Sequence, residues 1–305
     1  VKHLGKTAIF TVDEIMVHGI NLLKFKPDTS KILPFYAAEI FKLPSFTNEI
    51  KAQAKKAINQ ASVNINYLKQ LKIPVPPLNI QEQIVAACHA IDTQTATAQS
   101  NIVAIETKLI EKIQLLFAEG KSQKLSQLVH INRHTTNPKS RPLQSFTYID
   151  IDSVGKGTGT INAVKKILGK DAPSRARRVA HQHNIIISTV RPYLKGFAYL
   201  KEEMKDCIFS TGFAILESQD TDILLNKTLY YAFMYYHDLM EQMESVMKKA
   251  AYPSIKKSDM EHFRIPVPPL ALQRNLTKEI DDLEQQIIAV SYTNLRAHET
   301  RFYLV

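Results

Sequence analysis

The sequence predicts a mixed α/β (α+β) fold in which basic globular domains alternate with long coiled-coil helices, in the order domain, joint, helix, twice over. Three observations carry this prediction. The hexapeptide IPVPPL occurs at Ile73–Leu78 and again at Ile265–Leu270, so six of the chain's 14 prolines lie in two copies of one motif. A heptad seam follows each copy, and a block rich in Lys and Arg precedes each copy. The spacing between the copies is too long for a solenoid period and suits a duplicated domain.

The repeat extends beyond the hexapeptide at a constant offset, without a gap. Upstream, Lys56 matches Lys248, Ser62-Val63 matches Ser254-Ile255, Leu68 matches Met260, Leu71 matches Phe263 and Lys72 matches Arg264. Downstream, Gln81 matches Gln273. The prolines give the joint its stiffness, because each forbids helix in the residue before it and removes a backbone donor. Proline is tolerated in a first helical turn, so a helix is expected to start near Leu78.

After the first joint, Ile84, Cys88, Ile91, Thr95, Ala98, Ile102, Ile105, Leu109 and Leu116 follow alternating steps of four and three, with Lys112 out of place. This is a heptad seam. It predicts a helix from about 79 to about 119, roughly 60 Å long at 1.5 Å per residue, stopped by Gly120. After the second joint, Leu276, Ile280, Leu283, Ile287 and Val290 repeat the steps in the same register. Thr, Cys and Ala make the first seam weak for a free-standing dimer. The two seams are expected to pack on each other, antiparallel, within one chain; the alternative is that each helix packs only on its own domain.

Charge follows the same division. Residues 1–78 carry 11 Lys/Arg against 5 Asp/Glu and residues 122–269 carry 21 against 14, whereas residues 79–121 and 270–305 are slightly acidic. The net charge of +10 therefore sits in two blocks, which points to a polyanionic partner over an inert basic surface. At 305 residues and 45% hydrophobic, the chain has room for two domains with a sizeable core. No run of about 18 apolar residues occurs and no signal peptide is evident, so no membrane association is expected. The two cysteines, Cys88 and Cys207, form no CxxC or Cys/His cluster. That argues against a disulfide framework or structural zinc and fits a cytoplasmic protein.

The second basic block reads as mixed α/β. FTYIDIDSV (Phe146–Val154) alternates like a strand, and GKGTGT (Gly155–Thr160) reads as a turn, since GxGxG with no following helix is no phosphate loop. NIIISTV (Asn184–Val190) and CIFSTGFAIL (Cys207–Leu216) read as two further strands, and Leu229–Val246 has helical apolar spacing. Asp150 and Asp152 would share one face of the first strand, an arrangement a metal-dependent nuclease uses. No third acidic ligand accompanies them, and strand-surface charges account for them more simply. His181 and His183 read as loop residues or nucleic-acid contacts. No Ser/His/Asp or Cys/His arrangement is present.

The candidate binding residues lie in APSRARRV (Ala172–Val179) and STVRPYLKGFA (Ser188–Ala198). Ser174, Arg175, Arg177 and Arg178 are expected in one loop, and Arg191, Tyr193 and Lys195 directly after an apolar strand. Arginine forks suit guanine edges and phosphates. Loops carrying them over a rigid sheet make a DNA-reading surface. Lys248 and Lys249, with Lys55 and Lys56 in the first block, are expected as phosphate contacts, which position without specifying sequence.

Over nearly the whole chain to about residue 290, these motifs resemble the specificity subunit of type I restriction–modification enzymes. The likeness is carried by IPVPPLNIQEQI and its copy IPVPPLALQ, and by YIDIDSV, APSRARRV, NIIISTVRPYLKGFA, STGFAIL and AYPSIKKSDMEHFRIPVPPL. The resemblance implies target recognition domains that each read half of a bipartite site on double-stranded DNA, and conserved helices that act as a ruler between the half-sites. It implies that methyltransferase (modification) subunits, which bind S-adenosylmethionine, dock on those helices. It implies further that a restriction/translocase subunit joins the complex and that this subunit itself is non-catalytic, with no cofactor or metal of its own.

The expected organisation is then residues 1–78, the C-terminal part of a first recognition domain; 79–121, a spacer helix; 122–269, a complete second recognition domain; 270–290, a truncated second helix; and 291–305, a non-native tail. At the repeat offset, the counterpart of residue 122 would fall well before Val1, so the first domain is expected to lack its N-terminal part. The tail VSYTNLRAHETRFYLV breaks the pattern and looks like translated adapter sequence. Two competing readings are a nuclease using Asp150 and Asp152, and a coiled-coil scaffold that does not read DNA sequence.

Overall fold

A computed structural model describes residues 4–19, 22–53, 55–57, 60–62, 65–162, 164–247 and 253–304, with side chains except at 53–62, 298–299 and 301–304. By internal contacts the chain divides into two units, 1–104 with 287–305, and 105–286.

The first unit holds α1 (Pro34–Lys42), α2 (Pro44–Gln53), the short hairpin β1 (Lys55–Ala57) and β2 (Gln60–Ser62), α3 (Ile65–Leu68), and the beginning of α4 (Leu78–Ala118). Pro34 and Pro44 stand at the first helical positions, where a missing N–H costs nothing. Its core is Ile32, Tyr36, Ala37 and Ile40 of the α1 region, with Ile73 of the joint and Ile84 and Val85 of α4 packed against them.

The second unit opens with β3 (Lys121–Lys124), β4 (Val129–Ile131), β5 (Ser145–Ile149), β6 (Lys165–Leu168), β7 (Ala176–Arg178), β8 (Ile185–Ser188), β9 (Phe197–Tyr199), β10 (Cys207–Ser210) and β11 (Phe213–Ser218). Then come α5 (Asn226–Tyr235), α6 (His237–Met247), α7 (Lys257–Met260), β12 (Arg264–Val267) and α8 (Leu270–Leu304), whose last part belongs to the first unit. Two four-stranded sheets, β6-β5-β10-β7 and β4-β11-β8-β9, enclose a core of Ile149 and Phe209 from one sheet and Ile186, Ala198, Phe213 and Ile215 from the other. Alternation along the strands supplies both faces. Ile208, next to Phe209, joins Phe146, Tyr148 and Ala176 on the outer side of the first sheet. On the second sheet α5 lies against β8, β9 and β11, with Phe197 edge-on to Phe233 at 6.1 Å. Each such fully buried aromatic or aliphatic side chain contributes about 1.5–3 kcal/mol.

The duplication is visible in the structure. α3 and α7 are related by the offset of the sequence repeat at both ends, and so are the starts of α1 and α5 and the starts of α4 and α8. The matched glutamines of the repeat are fully buried. Gln81 Oε1 accepts from the Leu33 amide at 2.8 Å, and its Nε2 donates to the carbonyls of Lys31 and Pro76 at 2.8 and 2.7 Å. Gln273 Oε1 accepts from the Leu225 amide at 2.9 Å, and its Nε2 donates to Ile223 and Pro268 at 2.8 and 2.7 Å. Every partner is displaced by that same offset.

The first long helix spans 41 residues, close to the predicted 79–119. Its seam is the less exposed face: Cys88, Ile91, Leu109 and Leu116 are buried and Ile84, Thr95, Ala98, Ile102 and Ile105 half-buried. Lys112, the residue out of place in the seam, forms an ion pair with Glu279. Gly120 follows the end of the helix, and a Cβ there would stand 2.8 Å from the Pro266 carbonyl carbon, so the close approach requires glycine.

Five sequence expectations are corrected. The strand read over Phe146–Val154 stops at Ile149, since Asp150 caps a 3-10 turn over Ile151–Ser153 through hydrogen bonds shared with Ser153. CIFSTGFAIL is two strands in different sheets; the chain crosses at Thr211-Gly212, where a Cβ on Gly212 would meet Ile151 Cδ1 at 2.6 Å. The helical stretch Leu229–Val246 is broken at Tyr236, which is extended. Arg177 and Arg178 lie on β7 rather than in a loop. The second helix does not stop at residue 290 but runs on to Leu304, with Asn294 and Ala297 extending its half-buried face.

Candidate nucleic-acid interface

The candidate residues of Ser174–Arg178 and Arg191–Lys195 lie on segments joined by backbone hydrogen bonds at one rim of the second unit. β7 is an edge strand, and the residues before it, Ser174 and Arg175, are exposed. The Thr211 amide donates to the Arg175 carbonyl at 2.8 Å, which ties this loop to the turn between β10 and β11. One residue on, the Gly212 carbonyl accepts from the Thr189 amide at 2.9 Å and from the Thr189 hydroxyl at 2.8 Å. Thr189 leads directly to Arg191. The Gly155–Thr160 turn joins the same rim, since the Gly157 amide donates to the Lys195 carbonyl at 2.9 Å. Segments far apart in sequence are thus held together by backbone bonds, and Ser174, Arg175, Arg191 and Tyr193 on them are exposed.

Around Arg191 the backbone is strained. Arg191 (φ 46°) and Lys195 (φ 51°) both adopt the left-handed conformation on either side of a 3-10 turn over Pro192–Leu194. Each such non-glycine residue costs about 1–3 kcal/mol, and strain of this kind concentrates at functional sites. The Arg191 amide donates to the Pro253 carbonyl, and the Ile255 amide donates to the Thr189 carbonyl, so the segment is fixed from both sides. Arg191 and Tyr193 are exposed. Lys195 is half-buried with its ammonium 5.8 Å from the Tyr235 ring, and burial lowers its pKa.

The arginines of β7 have different surroundings. Arg177 is held in place: its Nη1 donates to Asn137 Oδ1 at 2.5 Å and its Nε to the Ser174 carbonyl at 3.1 Å. Arg178 is half-buried, its Nε lacks a partner among the described residues, and burial lowers its pKa. Arg175 and Arg191 have no ion-pair partner among the described residues. Lys248 and Lys249 lie outside the described residues, as do the side chains of Lys55 and Lys56, whose backbone belongs to β1.

Sequence reasoning missed the loop that runs beside β7. Thr135 bridges to Arg178, and the Thr136 and Val179 amides bond to Arg177 and His134. The same loop carries Arg133, which pairs with Glu217 of β11 at 3.9 Å, the exposed Lys139, and Arg141, which stands over the Phe146 ring at 4.9 Å. The polar, proline-containing stretch NRHTTNPKSRP was its available signal. His181 pairs with Glu203 at 3.2 Å, and His183 Nδ1 lies 2.8 Å from the Tyr199 hydroxyl; both are loop residues.

The two acids of the nuclease reading do not share a strand face. Burial works to raise the Asp150 carboxyl, but Lys165, whose Nζ donates at 2.7 Å, and Ser153 outweigh it and hold it below the usual value. Asp152 is exposed on the 3-10 turn. Among the described residues no group of three or more His, Cys, Asp or Glu side chains is placed to hold a metal. No helix among them is long and apolar enough to cross a membrane.

A two-sheet domain with a basic loop rim, joined through a proline hinge to a long helix, with hinge and helix repeated along the chain, is the architecture of a DNA-specificity module. The family model for the type I restriction modification DNA specificity domain matches residues 2–107 and 119–295, and the chain belongs to that family. The chain is 29% identical to the putative type I restriction enzyme MjaX specificity subunit of Methanocaldococcus jannaschii, covering 92% of this chain and 69% of that protein. It resembles the HsdS subunit from Thermoanaerobacter tengcongensis with 28% identity and a TM-score of 0.51, over 59% of this chain and 46% of that one. The type I S subunit from M. genitalium, at 18% identity and a TM-score of 0.59, shares the fold over 91% of this chain and 72% of its own length. The chain thus spans less than half of one solved relative and about 69–72% of the other two proteins.

Proposed function

We propose that this chain is a non-catalytic specificity subunit whose second recognition domain, residues 122–269, reads one half of a bipartite double-stranded DNA target. Arg175 and Arg191 are the base-edge readers, with Tyr193, Lys195 and Arg178 beside them. Ser174 and Arg177 shape the loop, and Lys248, Lys249, Lys55 and Lys56 contact phosphates. α4 and α8 set the distance between half-sites and carry methyltransferase subunits, which supply S-adenosylmethionine, and a restriction/translocase subunit joins them in the cytoplasm. The observation that carries this reading is the rim itself, where three basic or strained loops are fixed by backbone hydrogen bonds on one side of a rigid double sheet.

Co-expression with type I methyltransferase subunits tests the assembly. The expected result is one complex that transfers methyl groups from S-adenosylmethionine to a defined DNA sequence. Elution of the chain by itself, with no methyl transfer, would contradict it.

A further inference from the structure

The two buried glutamines are the strongest feature that DNA contact leaves unexplained. Gln273 sits on the first turn of α8, with no exposed surface, and its side chain is bonded at three points. One point is the carbonyl of Pro268 in the joint. The other two, Ile223 and Leu225, belong to the loop that leads from the sheets into α5. A single side chain therefore ties together the helix, the proline hinge and the globular domain. Gln81 makes the same three ties in the first unit. A buried amide is costly unless its donors and acceptor are met in good geometry, so the arrangement tolerates only one orientation of the domain on its helix. The prolines keep the joint extended, and the glutamine fixes where the extended joint meets the helix and the domain.

We infer that Gln273, and Gln81 in the first unit, are positioning residues that fix the angle of each domain on its long helix, and so the placement of the reading rim against the ruler. This inference rests on the reading proposed above for the use of that angle, but not for the latch itself. Two polar contacts between domain and helix in the second unit have no equivalent residue pair in the first. In the second unit Lys227 pairs with Asp281 at 2.8 Å, and Tyr235 donates to Glu284 at 3.0 Å. The positions one repeat earlier are Phe35, His89, Leu43 and Asp92. The glutamine keeps all three of its bonds in both copies.

The test measures a distance distribution in the full chain by pulsed electron spin resonance. Spin labels are placed at Gln285 on α8 and Lys166 on β6, with Cys88 and Cys207 replaced by alanine. The parent is expected to give one narrow distribution. Gln273→Met, which keeps the volume and loses all three bonds, is expected to widen it at least twofold, and Gln273→Asn, which keeps an amide that no longer reaches, is expected to do the same. Ile186→Val, a core change away from the joint, controls for lost stability and is expected to leave the width unchanged. Equal widths in parent and both glutamine variants, or equal widening in the control, overturn the inference. DNA selection by the same proteins separates the two claims. A widened distribution in a chain that selects no DNA sequence supports the latch against the recognition reading, and an unchanged one in a chain that selects a sequence does the reverse.

Discussion

The Arg175 carbonyl accepts a hydrogen bond from the Thr211 amide at 2.8 Å, between segments distant in sequence. This bond fastens the arginine loop to the turn where the chain crosses from one sheet to the other. Gly212, next in that turn, binds Thr189 and so places Arg191 on the same rim. The rim is thus a consequence of the crossover, and its predicted behaviour follows from these bonds.

Removing the Arg191 guanidinium is expected to relax preference at one or two base pairs, with about 1–3 kcal/mol of discrimination lost there. Arg191→Gly and Arg191→Ala lose the same contact, but alanine retains the strain of a positive φ that glycine does not. The alanine variant is expected to be less stable than the glycine variant by about 1 kcal/mol. Sequencing of bound DNA checks the first point and denaturant unfolding the second.

Gly120→Ala is expected to destabilise the second unit by about 1–3 kcal/mol, because its Cβ would press on Pro266, a backbone contact that no rotamer change relieves. Thermal unfolding monitored by circular dichroism reads this as a lower Tm.

Lys112 interrupts a heptad seam and is paired with Glu279, but its side chain is 37% exposed. An exposed ion pair contributes between about 0 and about 1 kcal/mol. Lys112→Leu, which restores the apolar step, is therefore expected to be neutral or to stabilise by up to about 1 kcal/mol. A loss above that range in urea unfolding would show that the ion pair outweighs the seam.

Burial raises the pKa of Glu284 more than the hydroxyls of Tyr235 and Tyr231 and the Lys227 ammonium lower it. An acid raised on folding adds stability below its unfolded pKa, and that contribution is lost as pH rises through its folded value. Glu284→Gln keeps the acceptor for the tyrosines and carries no charge. Its stability relative to the parent is expected to rise as pH increases from about 4 toward about 7, measured as the difference in urea midpoints. Asp281 nearby has the opposite sign: burial raises it, but Lys227 and Lys201 outweigh that and lower it on balance, so its contribution is lost as pH falls.

Periodicity and the internal repeat made the joints and the long helices legible, because each is a local pattern with one dominant physical cause. The strand over Asn184–Val190 was legible for the same reason. What the sequence concealed were the places where a local cap or a close approach overrides an apolar run: Asp150 ends β5, and Gly212 splits CIFSTGFAIL between two sheets. β12 pairs with β3 from opposite ends of the second basic block, which no local pattern records. In the candidate site, the arginines and Tyr193 were visible as residue types. Their common rim depends on backbone bonds of Thr211, Gly212 and Thr189, ordinary residues that nothing marks in the sequence. Gln273 was visible as a match to Gln81, but its bonds to the hinge and the α5 loop were not.

The most direct test of the central claim exposes the full chain to a pool of random duplex DNA at two salt concentrations and sequences what is bound. Phosphate contacts alone lose affinity steeply with salt, whereas base-edge contacts keep their selectivity. The account predicts one short enriched motif that persists at the higher salt and is blurred by Arg175→Ala or Arg191→Ala. Uniform binding that salt erases, or a motif unaffected by both substitutions, would contradict it.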